Sequence, residues 1–128
     1  MTLLLVCLFI VVLLPYLAKL PVGYAMNQLG GYDNSHPREQ QAKLEGFGAR
    51  ALAVHQNSFE ALAVFSAAIL SAVATHNNSL LIQVLAIVYV LSRIIYHVLY
   101  LMNLATFRSI AWFVGYICCL VIIVRCMI

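Results

Sequence analysis

Residues Leu80–Met102 read LLIQVLAIVYVLSRIIYHVLYLM, and the reading of this stretch decides the fold. It holds one formal charge, Arg93, in a run of Leu, Ile, Val and Ala. At about 1.5 Å per residue, a helix of this length crosses a hydrocarbon core of about 30 Å. Its polar residues are not scattered. Tyr89, Arg93, Tyr96, His97 and Tyr100 fall within roughly 100° of the helix circumference. One face is therefore apolar enough for lipid, while the other offers a guanidinium, three phenols and an imidazole to a bundle interior.

The rest of the chain agrees with a membrane reading. Of 128 residues, 65% are hydrophobic and 9% charged, with a mean hydropathy of +1.01. Soluble domains carry about 25% charged residues, so too few are present to coat a water-exposed surface. Soluble enzymes and disordered chains are excluded. A net charge of +3, from seven Lys and Arg against four Asp and Glu, is too weak a field for nucleic acid. The length accommodates about four spanning helices. The expected fold is all-α: a polytopic membrane four-helix bundle forming a single domain over residues 1–128. Its helices are expected at about 2–20, 37–75, 80–103 and 107–126, with a polar loop at 21–36.

Met1–Ala18 is uncharged and lacks the basic start and cleavage site of a signal peptide, so it is expected to remain as a helix, bent at Pro15. Pro37 suits the first turn of the second helix. Unbroken to residue 75, that helix would be about 57 Å long, so its front from Arg38 to Arg50 is expected to project into water or headgroups. No internal repeat supports an inverted-repeat transporter. Lys19, Arg38, Lys43, Arg50 and Arg108 lie on one side and only Arg125 on the other. The positive-inside rule then places the long loop in the cytoplasm and both termini outside.

Cys7, Cys118, Cys119 and Cys126 lie in apolar stretches with no CxxC pair. His36, His55, His76 and His97 show no ligand spacing, so no metal site is expected. The informative groups are the intramembrane ones, because each charge there costs at least about 2.5–3.5 kcal/mol. Arg50, Asn57 and Glu60 share an 80° arc, roughly, of the second helix, and this seam matches the one around Arg93. Two readings are open. Glu60 and Arg93 could neutralise each other as a buried ion pair, or the two seams could line a site for a small polar or anionic ligand.

At these residues the chain resembles the MAPEG family, membrane-associated proteins of eicosanoid and glutathione metabolism. The second-helix signature stands as Arg50-Ala-Leu-Ala-Val-His55-Gln-Asn57-Ser-Phe-Glu60, followed by Phe65. The third-helix signature is Arg93-Ile-Ile-Tyr96-His-Val-Leu-Tyr100, and Arg108-Ser109 opens the fourth helix with Trp112 one turn on. The stretch from Tyr32 to Arg38, YDNSHPR, is similar to the small bacterial branch, which implies a bacterial inner membrane.

The resemblance implies a homotrimer that binds glutathione between neighbouring subunits near the cytoplasmic face. Asn57, Glu60, Tyr96 and Tyr100 would hold the tripeptide, with Arg50 and Arg93 as cationic partners for it. Arg108 would be catalytic, lowering the thiol pKa. Glutathione would be a co-substrate, and the other substrate a lipophilic electrophile taken from the bilayer. The sequence departs from the pattern at Ala53, where most catalytic members carry a second arginine; Arg50 or Lys43 is left to replace it. Lys19 is the only basic residue near the end of the first helix. Two functions remain: a glutathione transferase or peroxidase, or a non-catalytic ligand-binding or scaffold protein of the same fold. A small multidrug-type transporter is disfavoured because the first helix is uncharged.

Overall fold

Four apolar runs form helices long enough to cross a membrane, and a fifth, short helix sits between the first two. The computed structural model describes residues 1–128. The helices are α1 (Thr2–Asn27), α2 (Pro37–Gln41), α3 (Gly46–Ala74), α4 (Leu80–Leu101) and α5 (Ala105–Met127). The long helices alternate in direction. The N-terminal ends of α1 and α4 therefore lie with the C-terminal ends of α3 and α5.

The core at that end of the bundle is apolar. Leu4, Cys7, Val11 and Leu14 of α1 meet Phe65, Ala68, Ile69 and Ala72 of α3. Ile82, Ala86 and Val90 of α4 and Cys118, Cys119 and Ile122 of α5 complete the cluster. All of these are buried. The four cysteines are unpaired thiols, and no three His, Cys, Asp or Glu side chains cluster as a metal site would require. On the outside, Leu20, Leu80, Phe9, Phe107 and many other large apolar residues are exposed, as a lipid-facing surface requires.

The polar end differs from the expected outline in two places. First, α1 does not stop near residue 20 but runs through Pro21 to Asn27. A proline costs the helix one hydrogen bond, and here packing offsets it. Val22 and Met26, one turn apart, are fully buried against Leu44 and Ala51 in a second, smaller cluster. The expected loop over 21–36 is thus reduced to residues 28–36.

Second, the helix expected over 37–75 is broken. It stops at Gln41 and restarts at Gly46. Gly46 has φ +53°, which an L side chain rarely adopts. The break folds Leu44 back onto α1, so residues 38–50 do not project as one rod. Gln40 fastens this corner. Its Nε2 donates to the carbonyls of Gly31 at 2.7 Å and Met26 at 3.2 Å, and its Oε1 accepts from Asp33 N–H at 2.9 Å.

The two other turns are helix caps of one type. His76 (φ +53°) and Asn103 (φ +61°) are left-handed. Asn77 N–H reaches back to the Ala72 carbonyl and Leu104 N–H to that of Leu99, each at 2.9 Å, the six-to-one bond of a Schellman motif. The second of these turns is tight enough to set the first turn of α5 beside the last turn of α4.

Candidate functional site

The seams expected on the second and third long helices face each other. Arg93 is only 2% exposed. Its Nη2 donates to Asn57 Oδ1 at 2.7 Å, and Asn57 Nδ2 donates to Glu60 Oε2 at 2.9 Å. Glu60 and Arg93 therefore do not form a direct ion pair; the Asn57 amide stands between them, passing one hydrogen bond each way. This corrects the ion-pair reading and leaves Glu60 exposed, with oxygen lone pairs to spare. Arg93 Nε, by contrast, is buried without a partner, and the guanidinium lies 4.2 Å over the Tyr96 ring.

A second arginine repeats the arrangement. The Met102–Leu104 turn brings Arg108 against α4, with its Cζ 4.2 Å from the centre of the Tyr100 ring. Tyr96 and Tyr100 meet edge to face at 5.6 Å, so the two guanidinium–phenol stacks lie along one wall. Cation–π contacts of this kind contribute about 0.5–2 kcal/mol each and hold a guanidinium without consuming its hydrogen-bond donors.

Two clefts run along this wall. One of about 190 Å³ is lined by Asn57, Glu60, Arg93, Tyr89, Trp112 and Tyr116, with Ala61 and Val64. The other, of about 200 Å³, is lined by Asn57, Tyr96, Tyr100, Arg108, Ser109 and Trp112. Asn57 and Trp112 border both, which makes one groove between α3, α4 and α5. Its deeper end is aromatic. Trp112 and Tyr116 stack at 5.2 Å, and Tyr89 lies flat on Phe65 at 4.1 Å while its hydroxyl donates to the Ala61 carbonyl at 2.8 Å.

Of the residues singled out in the sequence, Asn57, Glu60, Arg93, Tyr96, Tyr100 and Arg108 line this groove or stack upon its wall. Arg50 does not. Its Nε donates to the Leu101 carbonyl at 3.3 Å, which ties α3 to the end of α4. His97 also leaves the seam, its Nε2 lying 2.8 Å from Ser58 Oγ. Because Ser58 Oγ donates to the Val54 carbonyl at 2.7 Å, it accepts from His97, whose Nε2 must carry the proton. Tyr116 and Ser109 were missed as site residues. A signal for Tyr116 was available: Arg108, Trp112 and Tyr116 follow at successive intervals of four and share one face of α5.

A second polar cleft lies on another flank of α3. It measures about 420 Å³ and is lined by Arg38, Gln41, Ala42, Leu52, His55 and Gln56. His55 Nδ1 lies 2.8 Å from the Pro15 carbonyl. A carbonyl only accepts, so Nδ1 carries a proton.

Among known proteins, a family model described as the MAPEG family matches residues 3–128, essentially the whole chain. No curated protein and no solved structure matches.

Proposed function

The chain belongs to the MAPEG family and is an integral membrane protein with four spanning helices; on that premise we propose that it is a glutathione-dependent transferase or peroxidase acting on lipophilic electrophiles. The observation that carries this reading is the charge pattern of the groove: two guanidinium groups and one carboxylate along a single wall. Glutathione at neutral pH carries the converse, two carboxylates and one ammonium. Glu60 holds the ammonium and Arg108 faces the sulfur, while Arg93, buried behind Asn57, adds its positive field to the wall that the carboxylates meet.

Arg108 is the catalytic group in this scheme. A cation beside the thiol favours thiolate, and the proton departs to solvent. The sulfur then forms a bond to the electrophilic carbon as the leaving group departs; with a peroxide, two glutathiones give disulfide, alcohol and water. The aromatic end, Tyr89, Trp112 and Tyr116, suits an apolar second substrate entering from the bilayer.

We place the site between subunits of a homotrimer. Glu60 and Gln56 are exposed on a spanning helix, and lipid cannot cover them without cost. Ala63 and Ala67, exposed on the same side of α3, permit close approach of another copy. Arg38, Lys43, Arg50 and Arg108 at the polar end favour a cytoplasmic site, with both termini outside the bacterial inner membrane. Ala53 favours a second reading, a non-catalytic binding protein of this fold, in which glutathione binds but no electrophile consumes it.

The test is a glutathione titration of the solubilised protein. Wild type should bind, and Glu60→Gln should weaken binding about tenfold or more, the loss of one charge-assisted contact. Arg108→Ala should abolish turnover of a generic electrophile. Equal binding by wild type and both variants would remove the proposed site.

A further inference from the structure

The α4–α5 pair carries another groove, back to back with the polar one. It measures about 390 Å³, and eight of its nine lining residues are apolar. On α4 its wall is Val88, Leu91, Ile95 and Leu99, which face roughly 120° away from Arg93, Tyr96 and Tyr100. On α5 it is Phe107, Ile110 and Val114, roughly 160° from Arg108, Trp112 and Tyr116. Two small residues, Ser92 and Ala111, make the floor. The helices touch there, since a Cβ on Gly115 would lie 2.6 Å from Ser92 Oγ. The one polar side chain of the groove is already engaged, because Ser92 Oγ donates to the Tyr89 carbonyl at 2.7 Å.

Both walls belong to spanning helices, and Leu91, Ile95, Phe107 and Ile110 are each more than half exposed. The groove therefore opens into the hydrocarbon layer, and no α1 or α3 residue lines it. From Val88 to Leu99 the α4 wall is about 16 Å long, half of a hydrocarbon core of about 30 Å. It starts beside the polar end of α4 and stops near the middle of that helix, which is the reach of a chain from one leaflet. A second copy fits it poorly. Helices associate in lipid through small or hydrogen-bonding residues, whereas these rims are branched or aromatic and the small residues lie at the bottom. No charged side chain lines the groove, and the turn joining its walls, 102–106, is uncharged.

We propose that this groove seats one acyl chain of a bilayer phospholipid, taken from the leaflet at the polar end and held by its hydrocarbon, not by its headgroup. A flexible chain fills the space between the walls with close contacts that a bulky helix face does not reach. It leaves no polar group stranded. The site is independent of glutathione and of subunit assembly.

The test is lipid retention. The full chain is reconstituted in vesicles of equal parts dioleoyl phosphatidylcholine and dioleoyl phosphatidylglycerol and extracted in mild detergent, and its co-purified phospholipid is counted by native mass spectrometry. Ala111→Phe fills the floor, and the double variant Ile95→Ala, Ile110→Ala removes the walls without adding bulk. Wild type should retain one more phospholipid per subunit than either, and the lipid lost should be of both headgroups alike. Val84→Phe, which adds the same ring at an exposed position of α4 outside the groove, should retain as much as wild type. Should Ala111→Phe fail to fold by helical circular dichroism, the double alanine variant decides alone. Equal retention by wild type and the groove variants would overturn the proposal, as would a lost lipid of one headgroup only. A fall in subunit number for the groove variants would overturn it in favour of a second copy.

Discussion

The Arg93–Asn57–Glu60 relay can be tested without any ligand, by asking what its parts contribute to stability separately and together. Arg93 is nearly fully buried and makes one side-chain hydrogen bond, 2.7 Å to Asn57 Oδ1. Its Nε is already without a partner. Asn57→Leu removes that acceptor and leaves the guanidinium with only the face of Tyr96, 4.2 Å away. A hydrogen bond to a charged group contributes about 1.5–3 kcal/mol. Stranding a buried charge costs about 3–5 kcal/mol where water is excluded, but the adjoining cleft admits water, so we expect a cost of about 2–3 kcal/mol. Arg93→Leu removes the charge with its desolvation cost and strands only a half-buried amide oxygen. It also forfeits the stack on Tyr96, so about 1–2 kcal/mol is expected. In the double variant no charge and no acceptor remain. Its cost should fall short of the sum of the singles by about 1–3 kcal/mol. Reversible unfolding in mixed micelles, followed by helical circular dichroism, measures all four corners of the cycle. Additivity within about 0.5 kcal/mol would refute the coupling.

Two further perturbations address the packing behind the groove and the corner below it. A Cβ at Gly115 would lie 2.6 Å from Ser92 Oγ and 3.4 Å from Tyr89 Cδ2, while Ser92 Oγ is anchored to the Tyr89 carbonyl at 2.7 Å; Gly115→Ala should cost about 1–3 kcal/mol, and adding Ser92→Ala should restore most of it. An unchanged melting temperature for Gly115→Ala alone would contradict the close approach of α4 and α5. At the corner, the backbone N–H groups of His36 and Ser35 donate to Asp33 Oδ1 at 3.1 and 2.8 Å and hold its carboxyl below the usual range. A lowered folded pKa stabilises the turn above the unfolded value of about 3.9 and loses that contribution as pH falls through the folded value. Amide protection of Ser35 and His36, corrected for intrinsic exchange, should therefore be flat from neutral pH down to about 5 and fall only in stronger acid. A fall between pH 7 and 5 would refute the role of the Asp33 carboxylate in ordering this turn.

The spanning helices were legible because membrane insertion is governed by hydropathy summed over a whole segment, which a local sequence carries in full. The two deviations at the polar end were not, because both depend on partners distant in sequence. Pro21 reads locally as a stop; only the burial of Val22 and Met26 against Leu44 and Ala51 shows why the helix continues. The break before Gly46 likewise follows from where Leu44 must pack. Gly46 and Gly48 are the only glycines between residues 37 and 75, and nothing local decides which of them yields.

The same distinction runs through the groove. Asn57, Glu60, Arg93, Tyr96 and Tyr100 could be grouped because spacing along one helix decides which residues share a face. Arg50 shares that face too, but its role is decided by a carbonyl at the end of α4, which no helical wheel contains. The amide between Arg93 and Glu60 has a chemical consequence that residue spacing alone does not give. A direct ion pair would cancel both charges and leave the groove with a single free arginine. With Asn57 interposed, both charges are retained along the same wall as a third on Arg108. The apolar half of the bundle, with its aliphatic and thiol core, needs none of these groups to fold together. Charge in this chain is thus kept out of the apolar core and retained where a ligand with both signs of charge could use it.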